Sequence, residues 1–348
     1  MDLNIQFHMN GGTGETSYSS NSSLRKKGLE LTQPIIEEAI IEIMYSLYLT
    51  SSTPSISKSI SIADMGCSLG PNALLVVLYV MNTVFKILLR DSGGVSLAYP
   101  HPKILVFLND LSGNDFNTTF NSLQGFYDEI KKTYKKLGGH EGDQRQQPCF
   151  VAGIPGSFYG RLFLAGSLRF AHSSYSLHWL SQKINKGNVY MVESSPPSVV
   201  EAYLNQFERD FEFFLKCRSE EVVKGGPMVL TTSGRANNVR PCSKEHCFKL
   251  ESFHVPLYIP SSPEMKSIVL REGSFIINQL ETLKLLWTVS NGDVMVNNLR
   301  AISVPLLASH FGEGIIAEWF YRLGVSFVAY VPKEKSKTSG IVISIVRQ

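Results

Sequence analysis

Four short stretches of this sequence gather residue types suited to holding a ligand. Asp64-Met65-Gly66-Cys67-Ser68-Leu69-Gly70-Pro71-Asn72 follows the apolar Ile60, Ile62 and Ala63 and precedes a long apolar run, so it reads as strand, glycine turn and helix. Its two glycines either bring the backbone close to a ligand or serve the turn alone. The stretch has neither G-x-G-x-x-G spacing nor a Walker lysine, which disfavours pyrophosphate and favours a ligand without phosphates. Val106-Phe107-Leu108-Asn109-Asp110-Leu111 places an acid at a second strand end, where it would accept both ribose hydroxyls of an adenosine-bearing cofactor. Gly153-Ile154-Pro155-Gly156-Ser157-Phe158-Tyr159 offers an aromatic face for adenine. His172-Ser173-Ser174-Tyr175-Ser176-Leu177-His178-Trp179 puts rings with N–H and O–H groups at a fourth strand end, where such groups need partners.

These stretches face one crevice only if their strands run parallel, since ligands of open α/β sheets bind beyond the carboxyl ends of the strands. The chain supports that order. Pro34 with Ile35, Ile36, Ala39, Ile40, Ile43, Met44 and Leu47 predicts a helix that begins near Pro34. Further strands are expected at Lys103 to Asn109, Leu168 to His172, Gly187 to Met191, Met228 to Thr232 and Gly340 to Arg347. Ser198 to Val223 is an amphipathic helix stopped by Gly225. Tyr134 to Gln147 reads as a polar surface loop. Gly234 to Pro263, with helices around Pro263 to Leu270 and Val304 to Leu323, suggests a cap over the sheet. The fold class is therefore α/β, with a doubly wound sheet and a mainly helical cap.

At 348 residues the chain can bury a substantial core, and its 43% apolar and 18% charged residues are ordinary for a globular protein. A net charge of +3 with mixed signs leaves no basic face for nucleic acid. Arg25, Lys26 and Lys27, like Lys135 and Lys136, read as solvated surface or as an anion grip. Cys67, Cys149, Cys217, Cys242 and Cys247 are odd in number without a Cys-x-x-Cys pair, and the N-terminus has no secretory layout, so a cytoplasmic, reduced protein is expected. The apolar run Ala73 to Leu89 contains Asn82 and Lys86 and reads as a core helix rather than a membrane span.

His8-Met9-Asn10-Gly11-Gly12, Gly14-Glu15-Thr16-Ser17-Tyr18, Ile62 to Asn72, Phe107 to Asn117, Pro155 to Phe163 and Ser173 to Gln182 stand in an order that resembles the plant SABATH methyltransferases. Those enzymes esterify salicylate, benzoate, jasmonate and similar acids, or N-methylate xanthines. The resemblance runs from about His8 to the C-terminus. It implies a single domain over 1–348 with a Rossmann-like class I methyltransferase sheet, a cap over roughly 197–225 and 235–325, S-adenosyl-L-methionine as cofactor, and a homodimer with no nucleic-acid or membrane partner. By the same resemblance Tyr18, Cys67, Asn72, Asp110, Leu111, Ser157, Phe158 and Ser174 form the cofactor pocket, and Tyr175, His178 and Trp179 its substrate side.

This sequence departs from the family at three places. Arg25 stands where a carboxylate-contacting glutamine is expected, and an arginine there would clamp a carboxylate while drawing electron density from the attacking oxygen. The cap is shortened near 247–251, and so is the loop after Gln182. A magnesium site of some relatives maps to Asn185, Glu251, Phe253 and His254, with Glu and His in place of Asp and Asn.

A carboxylic acid of pKa about 4 is ionised near neutrality, so methyl transfer to it needs alignment rather than a general base. Trp179 and His178 are then positioning groups, with no catalytic acid or base. The expected activity is carboxyl O-methylation of a salicylate- or benzoate-type acid. The pair His178-Trp179 favours a jasmonate-type acid instead, and the shortened cap a weakly catalytic cofactor-binding paralogue. A nicotinamide dehydrogenase would fit the sheet but not the glycine spacing.

Overall fold

The computed structural model describes residues 8–49, 59–90, 102–139, 149–181, 197–236, 256–287, 292–330 and 336–348. Its strands are β1 (Ser59–Met65), β2 (Lys103–Asp110), β3 (Cys149–Pro155), β4 (Phe170–Ser174), β5 (Pro227–Gly234), β6 (Phe275–Trp287) and β7 (Ser336–Arg347). The helices are α1 (Ser23–Leu49), α2 (Pro71–Arg90), α3 (Phe116–Asn121), α4 (Leu123–Lys136), α5 (Pro197–Glu221), α6 (Ser262–Glu272), α7 (Gly292–Phe311) and α8 (Ile316–Tyr330). The seven strands form one sheet in the order β3-β2-β1-β4-β5-β7-β6. β1 to β5 pair in parallel, and β7 runs antiparallel between β5 and β6. The order reverses between β1 and β4, the switch point at which a doubly wound sheet opens its crevice.

The alternation of side chains across the pleat separates two cores. On one face Ile60, Ile62, Val106, Leu108, Val229 and Val342 pack with α1, α2 and α4. On the other, Ala63, Met65, Met228, Leu230, Ile341 and Ile343 pack with Phe207, Phe211 and Phe214 of α5 and with α6. Because β1 is covered on both faces, its residues after Ser59 are all buried. One described helix, Pro71–Leu89, is long and apolar enough to cross a membrane. It is packed into the core through Val77, Val80, Val84 and Phe85, as the core-helix expectation required.

The structure corrects several boundaries. Pro34 lies inside α1, which starts eleven residues earlier at Ser23. Tyr134, expected in a surface loop, is buried in α4 with its ring 5.0 Å from that of Phe85. The β4 strand sits two residues later than expected, and β3 is the strand whose end was expected at Gly153 to Tyr159 without its range. Within the region expected as cap, α5 packs on the sheet and β6 belongs to it. α7 and α8 form a helical pair with their own small core of Val296, Leu306, Leu307, Ile316 and Phe320. The expected strand Gly187 to Met191 and the shortened region near 247–251 lie outside the described residues.

Phe85 is 1% exposed, so its loss leaves a cavity between α2 and α4. Phe85→Ala is expected to lower the unfolding free energy by about 3–5 kcal/mol in urea titration. A loss under ~1 kcal/mol would show that this interface is not close-packed.

Candidate active site

Parallel register brings the strand ends level. Met65 pairs with Asn109 of β2 and Ser173 of β4, Asp110 with Pro155 of β3, and Ser174 with Thr231 of β5. The turn after β1 therefore opens between the ends of β2 and β4. It is left-handed at Gly66 (φ 69°), Ser68 (φ 59°) and Gly70 (φ 83°). A Cβ at Gly66 would fall 2.2 Å from the Ser176 hydroxyl, which is why glycine is required there.

Side chains from four other elements hold this turn. Asp110 accepts the Ser68 N–H at 2.7 Å through one carboxylate oxygen and the Leu111 N–H at 2.8 Å through the other. Thr119 of α3 accepts the Gly70 N–H at 3.0 Å. Asn114 donates to the Ser68 carbonyl at 2.9 Å, and Ser176 donates to that of Gly66 at 2.9 Å. Arg25 of α1 donates to the Cys67 carbonyl at 2.8 Å and the Gly66 carbonyl at 3.1 Å.

Burial raises the Asp110 carboxyl above the ordinary aspartate range, while the N–H groups of Ser68 and Leu111 pull it back. Burial also opposes the charge on Arg25, but the Tyr18 phenol and Asp64 offset this and raise its pKa. Cys67 is fully buried and its thiol is pushed well up, by burial first and then by Asp110, so it remains a thiol. Asp64 and His172 form a buried pair at 2.7 Å beneath the turn.

The N-terminal segment closes one side. Asn10 N–H donates to the Ala301 carbonyl of α7 at 2.8 Å, Gly12 N–H to Asp115 at 2.9 Å, and Tyr18 N–H to the Asn10 carbonyl at 2.9 Å. Tyr18 thereby packs with Leu69 and Ala301. On the opposite side the Phe158 ring lies 4.7 Å from that of Tyr159 and edge-on to Phe214 at 6.1 Å.

Among the expected cofactor residues, Asp110, Leu111, Cys67, Tyr18, Ser157, Phe158 and Ser174 converge on these strand ends. Asn72 is turned away: its amide donates to the Ser22 carbonyl and hydroxyl at 2.9 and 2.8 Å, near the start of α1. Arg25 also differs from expectation. Its two terminal nitrogens already serve the turn, so its fork is not presented to a ligand carboxylate, whereas Lys26 and Lys27 are exposed.

Among the residues expected on the substrate side, Tyr175 takes the strained left-handed φ of 55°, and its ring fills the space that Gly28 leaves in α1. His178 Nδ1 lies 3.1 Å from the Thr232 hydroxyl and accepts the Ser233 N–H at 3.4 Å. Burial drives the His178 pKa down to about 3, so the ring is neutral near pH 7. The Trp179 ring stands 5.5 Å from it. Asn185, Glu251, Phe253 and His254, the expected metal ligands, lie outside the described residues, and no cluster of three metal-ligating side chains occurs among the described ones.

The donor set fits an adenosyl ligand without phosphates. It comprises a carboxylate, hydroxyls, backbone amides and aromatic rings, and its buried guanidinium is engaged with carbonyls. Ser68 Oγ, Asn114 Oδ1 and Ser174 Oγ are buried there with no partner among the described residues. Residues 4–348 match the model of the SAM-dependent carboxyl methyltransferase family. The chain belongs to that family. Its cofactor is S-adenosylmethionine.

The chain is 40% identical to the S-adenosyl-L-methionine:benzoic acid/salicylic acid carboxyl methyltransferase 3 of Petunia hybrida, covering 100% of this chain and 99% of the relative. It is 37% identical to a probable jasmonic acid carboxyl methyltransferase 1 of Theobroma cacao, with 100% of both chains covered. Among solved structures, a loganic acid methyltransferase with S-adenosylhomocysteine superposes with a TM-score of 0.76 at 28% identity, covering 98% of each chain. The Petunia alignment spans 378 positions against 348 residues here, so the relative carries segments that this methyltransferase lacks.

Asn114, Asp115 and Thr119, which were not among the expected site residues, tie the turn and the N-terminal segment to α3. Their signal was present, because an Asx or Thr just after a strand-end acid is a common cap.

A carboxylate accepts ribose hydroxyls in its ionised form, the role expected of Asp110. Affinity for S-adenosylhomocysteine is therefore expected in full above its raised pKa and to fall as pH is lowered through it, beginning above the usual aspartate range. Asp110→Asn is expected to weaken binding about tenfold, or ~1.4 kcal/mol, in calorimetry. Unchanged affinity in the variant would remove Asp110 from the cofactor site.

Proposed function

We propose that this methyltransferase forms the methyl ester of a salicylate- or benzoate-type acid. The observation that carries an acid as acceptor is the buried His178 beside Trp179 at the β4 end: a pKa pushed down to about 3 makes its ring too weak a base to serve anything but an already ionised acid. The similarity to the Petunia benzoic acid/salicylic acid enzyme supports the aromatic class.

Bound at the turn, the cofactor supplies a sulfonium methyl group whose bonding electrons return to sulfur as the ester bond forms. The protein's part is alignment. Asp110 would take the ribose and Phe158 the adenine, while Trp179 N–H and His178 Nε2–H orient the carboxylate so that one oxygen lone pair faces the methyl. Hydrogen bonds from neutral donors hold a carboxylate without neutralising it, and so leave its nucleophilicity largely intact.

A jasmonate-type acid is the second reading, supported by the His178-Trp179 pair and by the Theobroma relative. A weakly catalytic paralogue is the third, supported by the segments missing relative to the Petunia enzyme.

Transfer of labelled methyl from S-adenosylmethionine to salicylate, benzoate, jasmonate and a xanthine separates these readings. Turnover of salicylate or benzoate at least tenfold above jasmonate is expected. A preference for jasmonate selects the second reading, and cofactor binding without transfer to any acid selects the third. Because His178 stays neutral, kcat/KM for the preferred acid is also expected to be flat between pH 6 and 8. An inflection near 6.5 would mean that an imidazole titrates in catalysis.

A further inference from the structure

Arg218 and Glu221 lie one turn apart on α5, on the side that meets the loop after β3, and both side chains are fully buried. Their Nε and Oε2 atoms stand 2.7 Å apart as an ion pair. An isolated buried ion pair contributes little to stability, since desolvation of two charges consumes most of the attraction. This one is not isolated.

Arg218 donates to the Phe158 carbonyl at 2.8 Å and the Gly160 carbonyl at 2.7 Å. Glu221 accepts the Leu162 N–H at 2.6 Å and the Phe163 N–H at 3.0 Å. The guanidinium also lies 5.2 Å over the Phe214 ring, whose edge meets Phe158. Four backbone groups of one irregular loop are thus satisfied by two charges on a helix. The loop reaches further, because the Tyr159 hydroxyl donates to the Trp179 carbonyl at 2.7 Å and lies 3.3 Å from that of Leu177.

We propose that the Arg218–Glu221 pair is a positioning device that fixes Phe158 on the cofactor side and, through Tyr159, sets the Leu177–Trp179 segment on the acid side. Neither charged residue touches a ligand; they act through the loop. Cofactor and acid affinity are coupled through this one element. The inference rests on the proposed assignment of Phe158 and Trp179 to the two sides of the site.

The test compares Arg218→Lys, Glu221→Gln, Tyr159→Phe and Phe158→Ala in the full chain, each checked by circular dichroism and thermal melting. Calorimetry gives S-adenosylhomocysteine affinity, and steady-state kinetics gives KM and kcat for the acid. Arg218→Lys cannot reach both carbonyls and Glu221→Gln loses the charge. Both are expected to weaken S-adenosylhomocysteine binding and raise the acid KM together, each by tenfold or more. Tyr159→Phe keeps the ring and cuts only the downstream link. It is expected to raise the acid KM at least fivefold and leave S-adenosylhomocysteine affinity within twofold.

Folded Arg218→Lys and Glu221→Gln proteins with wild-type affinities would overturn the proposal. So would a Tyr159→Phe protein with an unchanged acid KM, a result that decides the matter even if the charge variants fail to fold. Phe158→Ala separates the two levels. If it binds S-adenosylhomocysteine as wild type, the site assignment fails. If it binds weakly while the charge variants bind normally, only the positioning device fails.

Discussion

A backbone that turns left-handed three times in five residues has its N–H and C=O groups pointing outward, where no helix or strand ladder can satisfy them. The turn after β1 is such a backbone, and the arrangement around it follows from the need to hold it. Asp110 and Thr119 take its amides, while Asn114, Ser176 and Arg25 take its carbonyls. These residues come from the β2 end, α3, the segment after β4 and α1. The sheet register, the N-terminal helix and the small helix after β2 are all tied to one turn. Glycine at position 66 then lets Ser176 approach from the β4 side, so the two halves of the crevice share a wall.

Charge is distributed by the same logic. Arg25 provides the buried positive charge beside the turn, and it faces Asp64 and carbonyl oxygens rather than open space. Arg218 and Glu221 do for the loop after β3 what Arg25 and Asp110 do for the turn after β1. In both places a charged side chain from outside an irregular segment satisfies that segment's backbone. A buried charge is costly unless it is paired or hydrogen-bonded, and each of these binds two backbone groups.

The sequence made the central architecture legible. Alternating apolar runs, the glycine turn and Asp110 placed the crevice, because period-2 burial and strand-end chemistry leave local marks. The edge of the sheet left no such mark. In β6, Ile276 and Ile277 are followed by Leu280 and Leu283, a spacing that reads as helical. The cause is a bulge between Ile277 and Gln279 that breaks the strand alternation. The start of α1 was hidden differently: Arg25-Lys26-Lys27 read as a surface charge cluster, although the helix buries Arg25 and exposes the two lysines. Arg25 was expected to clamp a ligand carboxylate, and its true partners were hidden because they lie more than forty residues away in the chain. Arg218 and Glu221 were equally silent, because charged residues on an amphipathic helix usually face solvent.

On this reading the turn, Asp110 and Phe158 together hold the cofactor. A crystal structure of the protein with S-adenosylhomocysteine tests it most directly. Ribose hydroxyls are expected within hydrogen-bond distance of Asp110, adenine against Phe158, and Arg25 still bound to the carbonyls of Gly66 and Cys67. A nucleoside seated elsewhere, with Asp110 facing no ligand atom, would contradict it.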